Sequence, residues 1–107
     1  MLIASWNVNS IRSRLSQVTK WLEEKQPEVL CLQETKVSDK EFPYKDFENI
    51  GYSVKFYGQK SYNGVAIISK DKITDIRYGF NGELKHLEIS EELNFQKRII
   101  SALIILF

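Results

Sequence analysis

The chain opens on a short apolar run, Leu2-Ile3-Ala4-Ser5-Trp6, that empties into polar Asn7 and Asn9, as a buried strand does when it leads into a loop. Ile11, Leu15, Val18 and Leu22 then recur at helical spacing, with Ser10 placed to cap the helix and Gln26-Pro27 to stop it. The outer face of that helix carries Arg14, Lys20 and Glu24. Residues 28–33 turn apolar again through Val29, Leu30, Cys31 and Leu32 and read as a second buried strand. Strand, helix and strand in this order predict a parallel, right-handed β-α-β unit. Such a unit sets Asn7 and Glu34 just past the ends of neighbouring strands, on the sheet edge where open α/β folds build their sites.

Residues 35–50 are polar and charged with Phe42, Pro43, Tyr44 and Phe47 interspersed, which predicts a loop and a short helix over a sheet edge, ended by Gly51. Residues 52–57 and 64–69 read as the two strands of a hairpin whose tip, 58–63, is basic and aromatic. A further strand is expected at 73–78, a loop at 79–85, and a last pair of strands at 87–89 and 98–107. No repeat, low-complexity tract or interdomain linker interrupts this order. The pattern is α/β, with an antiparallel second part. Residues 99–107 are almost wholly apolar, too short to span a bilayer as a helix, and read as a buried strand at which the chain has been cut.

Composition narrows this only slightly. A length of 107 residues supports at most one ordinary domain, and 43% hydrophobic with 27% charged residues excludes collagen-like, mucin-like and disordered classes. Fifteen basic against fourteen acidic residues leave a net charge of +1, so binding to nucleic acid has to come from a local patch. The single cysteine, Cys31, excludes an intramolecular disulfide and a cysteine-based zinc site and suits a reducing cytosol. The first six residues lack the basic start and long apolar stretch of a signal peptide.

Among the residues able to carry chemistry, Glu34 is the sharpest. A carboxylate at the carboxyl end of a strand can hold Mg²⁺, and it can equally be a solvated glutamate. Asn7 and Asn9 flank Val8 on an extended segment, so both amides can serve a metal, a water or a phosphate, or simply form Asx turns or a helix cap. Arg12 and Arg14 lie in the first helical turn, where each cation opposes the macrodipole by ~0.3–1 kcal/mol. They either clamp a phosphate with the free N–H groups there or reach out to water. The tip residues Gln59, Lys60, Ser61, Tyr62 and Asn63 can grip a sugar-phosphate backbone, although most hairpin tips are equally polar. His86, the only histidine, has no nucleophile at a supporting spacing and reads as a surface or structural residue. Cys31 reads as a small buried hydrophobe.

Taken together, Trp6-Asn7-Val8-Asn9-Ser10-Ile11-Arg12, Leu32-Gln33-Glu34-Thr35-Lys36, Gly58-Gln59-Lys60 with Asn63-Gly64-Val65-Ala66-Ile67, and Arg98-Ile99-Ile100 closely resemble the N-terminal part of exonuclease III and related abasic-site endonucleases. These belong to the endonuclease/exonuclease/phosphatase superfamily. The resemblance runs in order along nearly the whole chain. It implies the N-terminal portion of a four-layer α/β sandwich, two packed mixed sheets flanked by helices, with residues 1–107 an incomplete domain. The activity it implies is DNA repair by Mg²⁺- or Mn²⁺-dependent hydrolysis of phosphodiesters in double-stranded DNA, at abasic sites or 3′ ends, by a cytoplasmic and mostly monomeric enzyme. Carried over, Glu34 corresponds to the metal-binding glutamate and Asn7 to the active-site asparagine beside it. Asn9, Arg12, Lys60 and Tyr62 fall on segments that contact DNA. Ser10 stands where glycine is usual. The family's later tyrosine, Asp-x-Asn, metal-site aspartate and Asp-His motifs are not found before Phe107, so the chain by itself is expected to be inactive. Two alternatives are a non-catalytic DNA- or partner-binding remnant and a phosphatase or phospholipase of the same superfamily.

Overall fold

The computed structural model describes residues 1–79 and 97–104. Strand β1 (Ile3–Asn7), helix α1 (Ile11–Lys25) and strand β2 (Val29–Gln33) come first, and β1 pairs in parallel with β2, Trp6 opposite Leu32 and Asn7 opposite Gln33. The expected β-α-β unit is present. The apolar stripe of α1 is turned inward, with Ile11, Val18 and Leu22 buried. Ser10 caps the helix, its hydroxyl accepting the Ser13 N–H at 3.2 Å. Gln26 ends it in the left-handed conformation at φ 50°, returning its N–H to the Leu22 carbonyl just ahead of Pro27.

A single 3-10 turn at Asp39–Glu41 and a short helix α2 (Tyr44–Glu48) follow, then the hairpin of β3 (Ser53–Tyr57) and β4 (Val65–Ser69). The sheet order is β1-β2-β4-β3, with β4 antiparallel to both neighbours. Both faces are covered at the central strands β2 and β4, while β1 and β3 leave Ile3, Ser5 and Lys55 exposed on the second face. Ala4, Trp6, Leu30, Leu32, Ala66 and Ile68 pack with α1 and with Phe42 and Phe47, while Val29 and Ile67 pack with Ile73, Ile100 and Ala102 on the other side. Because β4 is central and covered twice, all five of its residues are buried, which is why Val-Ala-Ile-Ile-Ser shows no polar alternation. Fully buried side chains such as Leu22, Leu30 and Phe47 each contribute about 1.5–3 kcal/mol by leaving water. Aromatic contacts tie the layer together: Trp6 meets Trp21 edge-on at 6.3 Å, and Phe42 stacks on Phe56 at 4.3 Å.

The second sheet is a pair, β5 (Ile73–Tyr78) with β6 (Ile100–Ile104), antiparallel and irregular between Thr74 and Arg77. The strand expected at 87–89, nearly all of the loop expected at 79–85, and residues 105–107 lie outside the described residues. Two packed sheets with helices on the outer face of the first match the expected sandwich. At the chain start, the Leu2 N–H donates to the Glu28 carboxylate at 3.0 Å, and this bond holds the Glu28 carboxyl below the usual range. Among the described residues no helix is long and apolar enough to cross a membrane.

Candidate active site

Parallel pairing brings the last residues of β1 and β2, Asn7 and Gln33, side by side, so the residues that follow them share one rim of the sheet. There the Asn7 side-chain NH₂ donates to Oε2 of Glu34. The Oδ1 of the same amide accepts the Asn9 backbone N–H at 3.2 Å, which is an Asx turn. One end of the Asn7 amide thus shapes the turn and the other contacts the carboxylate. Asn9 follows in a left-handed conformation, φ 45°, and its Oδ1 accepts from Nζ of Lys36. Asn7, Glu34, Asn9 and Lys36 thus form one connected polar cluster.

The backbone fixes that cluster from two directions. On the β1–α1 side, the Ser10 N–H donates to the Glu34 carbonyl at 2.9 Å and the Ile11 N–H to the Thr35 carbonyl at 3.0 Å. On the hairpin side, the Thr35 N–H donates to the Gly64 carbonyl at 3.2 Å, the Lys36 N–H to the Asn63 carbonyl at 2.9 Å, and the Ser61 N–H to the Lys36 carbonyl at 3.2 Å. Glu34 and Lys36 are held at φ 53° and 58°, a region L-residues enter only when their surroundings impose it. The other end of the hairpin seats on the same segment: the Gly58 N–H donates to Oδ1 of Asp39 at 2.7 Å, and a Cβ at Gly58 would lie 2.3 Å from the Val37 carbonyl oxygen.

The donors gathered here are oxygens, which suits a hard divalent cation. Oε1 of Glu34 accepts no hydrogen bond from the described residues. An ion here would be held through the Glu34 carboxylate and completed by water and phosphate. The Asn7 amide nitrogen is engaged by Glu34, while its oxygen accepts one bond from Asn9 and keeps a second lone pair that a cation could use. A cavity of about 110 Å³ opens beside Glu34, bounded by Gln33, Asn63 and the Lys97–Arg98 segment. Lys97 is anchored there: its carbonyl accepts the Gly64 N–H at 2.8 Å, its own N–H donates to Oε1 of Gln59 at 3.1 Å, and its Nζ lies 4.5 Å from the centre of the Tyr57 ring.

The remaining sequence candidates are distributed around this cluster. Arg12 is engaged by Glu41 at 2.9 Å, an exposed ion pair of the kind worth about 0–1 kcal/mol. Arg14 is half-buried on α1. Lys60 and Tyr62 are exposed on the hairpin tip, Tyr62 at 69%, and Ser61 between them ties the tip to Lys36. Cys31 is half-buried, and desolvation pushes its thiol pKa up. His86 lies outside the described residues. Lys36 and Lys97 went unsingled in the sequence. For Lys36 the signal was its place two residues beyond Glu34, whereas Lys97 reaches Gln59 across 38 residues and left none.

A four-stranded sheet backed by a second sheet, carrying an asparagine-braced glutamate on its rim, defines the class: the chain belongs to the Endonuclease/Exonuclease/phosphatase family, whose pattern matches residues 4–105. Within it the chain is 41% identical over 102 residues to exodeoxyribonuclease III of Haemophilus influenzae, covering 95% of this chain and 35% of that enzyme. It is 39% identical over 89 residues to a DNA-(apurinic or apyrimidinic site) endonuclease of Dictyostelium discoideum, covering 80% of this chain and 24% of that one. Its fold is similar to that of an AP endonuclease from Archaeoglobus fulgidus, with a TM-score of 0.83 and 47% identity over 97% of this chain and 37% of that structure. The chain thus spans about a third of the length of the Haemophilus relative. The resemblance to the exonuclease III group read from the motifs is borne out.

Proposed function

We propose that this chain is the metal-holding and DNA-positioning part of an incomplete nuclease domain of the exonuclease III type, acting on double-stranded DNA at abasic sites and 3′ ends with Mg²⁺ or Mn²⁺. The observation that carries the reading is the Glu34 carboxylate, fixed by the Asn7 amide on the rim where two parallel strands end. Its relatives named for exodeoxyribonuclease and abasic-site endonuclease activity support DNA as the substrate. Glu34 would hold the cation, Asn7 aims the carboxylate, and Lys36 places positive charge beside Asn9. When bound, a divalent cation supplies Lewis-acid polarisation of a phosphoryl oxygen. Arg12, Lys60 and Tyr62 contact the DNA backbone around that point, Asn9 lies at its edge, and the domain works as a cytoplasmic monomer.

In-line attack on phosphorus also needs a base to activate the water and donors for the developing charge. The described site offers one carboxylate, already partnered by Asn7, so the 107-residue chain is expected to bind duplex DNA without cutting it. Incubation with a duplex containing one abasic site, at low salt with and without Mg²⁺, tests both halves. Salt-dependent binding with intact strands is the expected result. No binding at low salt would overturn the DNA reading, and robust nicking abolished by Glu34→Ala would overturn the inactivity.

A further inference from the structure

Behind Glu34, two backbones meet more closely than side chains allow. Thr35 is fully buried, and its hydroxyl has no hydrogen-bond partner among the described residues. A buried hydroxyl left unpaired is unfavourable, so polarity does not explain its place there. What it touches is Gly64, at φ +91°, where an added Cβ would lie 2.1 Å from Oγ1 of Thr35 and 3.3 Å from the Lys36 nitrogen. The absence of a side chain at Gly64 is what lets the base of the hairpin reach the Thr35 N–H at 3.2 Å.

We propose that Gly64 is a positioning residue for Glu34: its contact with Thr35 sets the height of the residue 34–36 loop above the sheet rim, and thereby aims the Glu34 carboxylate at Asn7. The inference rests on Glu34 holding the cation. The loop is pinned to Ser10 and Ile11 on one side and to Asn63 and Gly64 on the other, so a methyl group driven between Thr35 and Gly64 displaces it as a unit. A shift of the loop by more than about 0.5 Å would spoil the placement a ligand constellation needs.

The test is Mn²⁺ affinity of the whole chain, read from paramagnetic broadening of the Glu34 and Asn7 amide signals. Gly64→Ala is expected to weaken Mn²⁺ binding by about 10-fold or more, the scale of lost supporting contacts around metal ligands. Adding Thr35→Ala removes the obstructing Oγ1 and is expected to return the affinity to within about threefold of Thr35→Ala alone. Both variants keep the positive-φ penalty at position 64, so a purely structural role would lower the stability of both and leave the affinity of both alike. Unchanged Mn²⁺ affinity in folded Gly64→Ala would overturn the proposal. Should Gly64→Ala not fold, the double variant decides: folded but still about 10-fold weak, it overturns the proposal equally. Glu34→Gln separates the two levels. Mn²⁺ binding that survives it sinks the metal reading and this inference together, whereas binding lost there and kept in Gly64→Ala sinks the role of Gly64 alone.

Discussion

The four-stranded and two-stranded sheets are made from similar aliphatic residues and are sealed to different degrees. On the helix side of the first sheet, Leu22, Phe47 and Ile68 are at 0% exposure within a cluster that includes Val8, Ile11 and Tyr52. Between the sheets, Val29, Ile67 and Ile73 retain 6–8%, and β5 and β6 lose register between Thr74 and Arg77. The polar cluster is attached wholly to the better sealed part, since Asn7 ends β1, Glu34 follows β2, and Asn63 and Gly64 lead into β4. The second sheet supplies only the Lys97–Arg98 segment ahead of β6. Precision of the site and looseness of the second sheet are therefore compatible.

That contrast can be broken by substitution. Phe47→Ala is expected to cost about 3–5 kcal/mol, the range for emptying a large aromatic site, and Ile73→Ala only about 2 kcal/mol, the low end for an aliphatic one. Urea midpoints measure both, and equal losses would erase the distinction between the sheets. A finer probe is Ser10, held at φ 93° and ψ 109° while its hydroxyl caps α1. Ser10→Gly is expected to stabilise by about 1 kcal/mol, because relief of a sparsely populated backbone exceeds the few tenths lost when glycine replaces a cap. Ser10→Ala keeps the backbone and loses the cap, so it is expected to destabilise by about 1 kcal/mol. Thermal unfolding of the pair gives opposite signs if the rim is strained as described, and the same sign if it is not.

The smallest expected effect is at Cys31, between the sheets. Burial raises its thiol pKa, so the folded chain favours the protonated form; the associated stability is present below the unfolded thiol pKa and is lost as pH rises above it. Iodoacetamide near pH 8 should alkylate Cys31 more slowly in the folded chain than in urea. Equal rates would show that the seam between the sheets is open to reagent.

Much of the first part was legible in sequence because its determinants are local. Ser10, the Ile11-Leu15-Val18-Leu22 stripe and Gln26-Pro27 place α1 within a residue of its ends, and parallel pairing of the two flanking strands then puts Asn7 beside Glu34. The apolar run of β4 marks a central strand, but its placement against β2 was not legible, since the run does not encode which strand it pairs with. Nor was the seating of Gly64 on Thr35, because a close approach between residues 29 positions apart leaves only a glycine as its trace. Arg12 shows the limit from the other side. Its position in the first helical turn suggested a phosphate clamp, and only the folded chain reveals that Glu41, from the 3-10 turn, already occupies it.

That pairing has a thermodynamic consequence. Arg12 carries a tethered counterion, and on the proposed DNA reading a phosphate reaching its guanidinium would displace a carboxylate that stays on the protein. The ions released on such binding are cations condensed on the DNA, but a Glu41 carboxylate left beside the backbone would offset part of the charge Arg12 brings and so lessen its share of the salt-dependent binding. Lys60, exposed on the hairpin tip, has no such internal competitor among the described residues, so on that reading the hairpin would carry more of the salt-dependent binding than the helix.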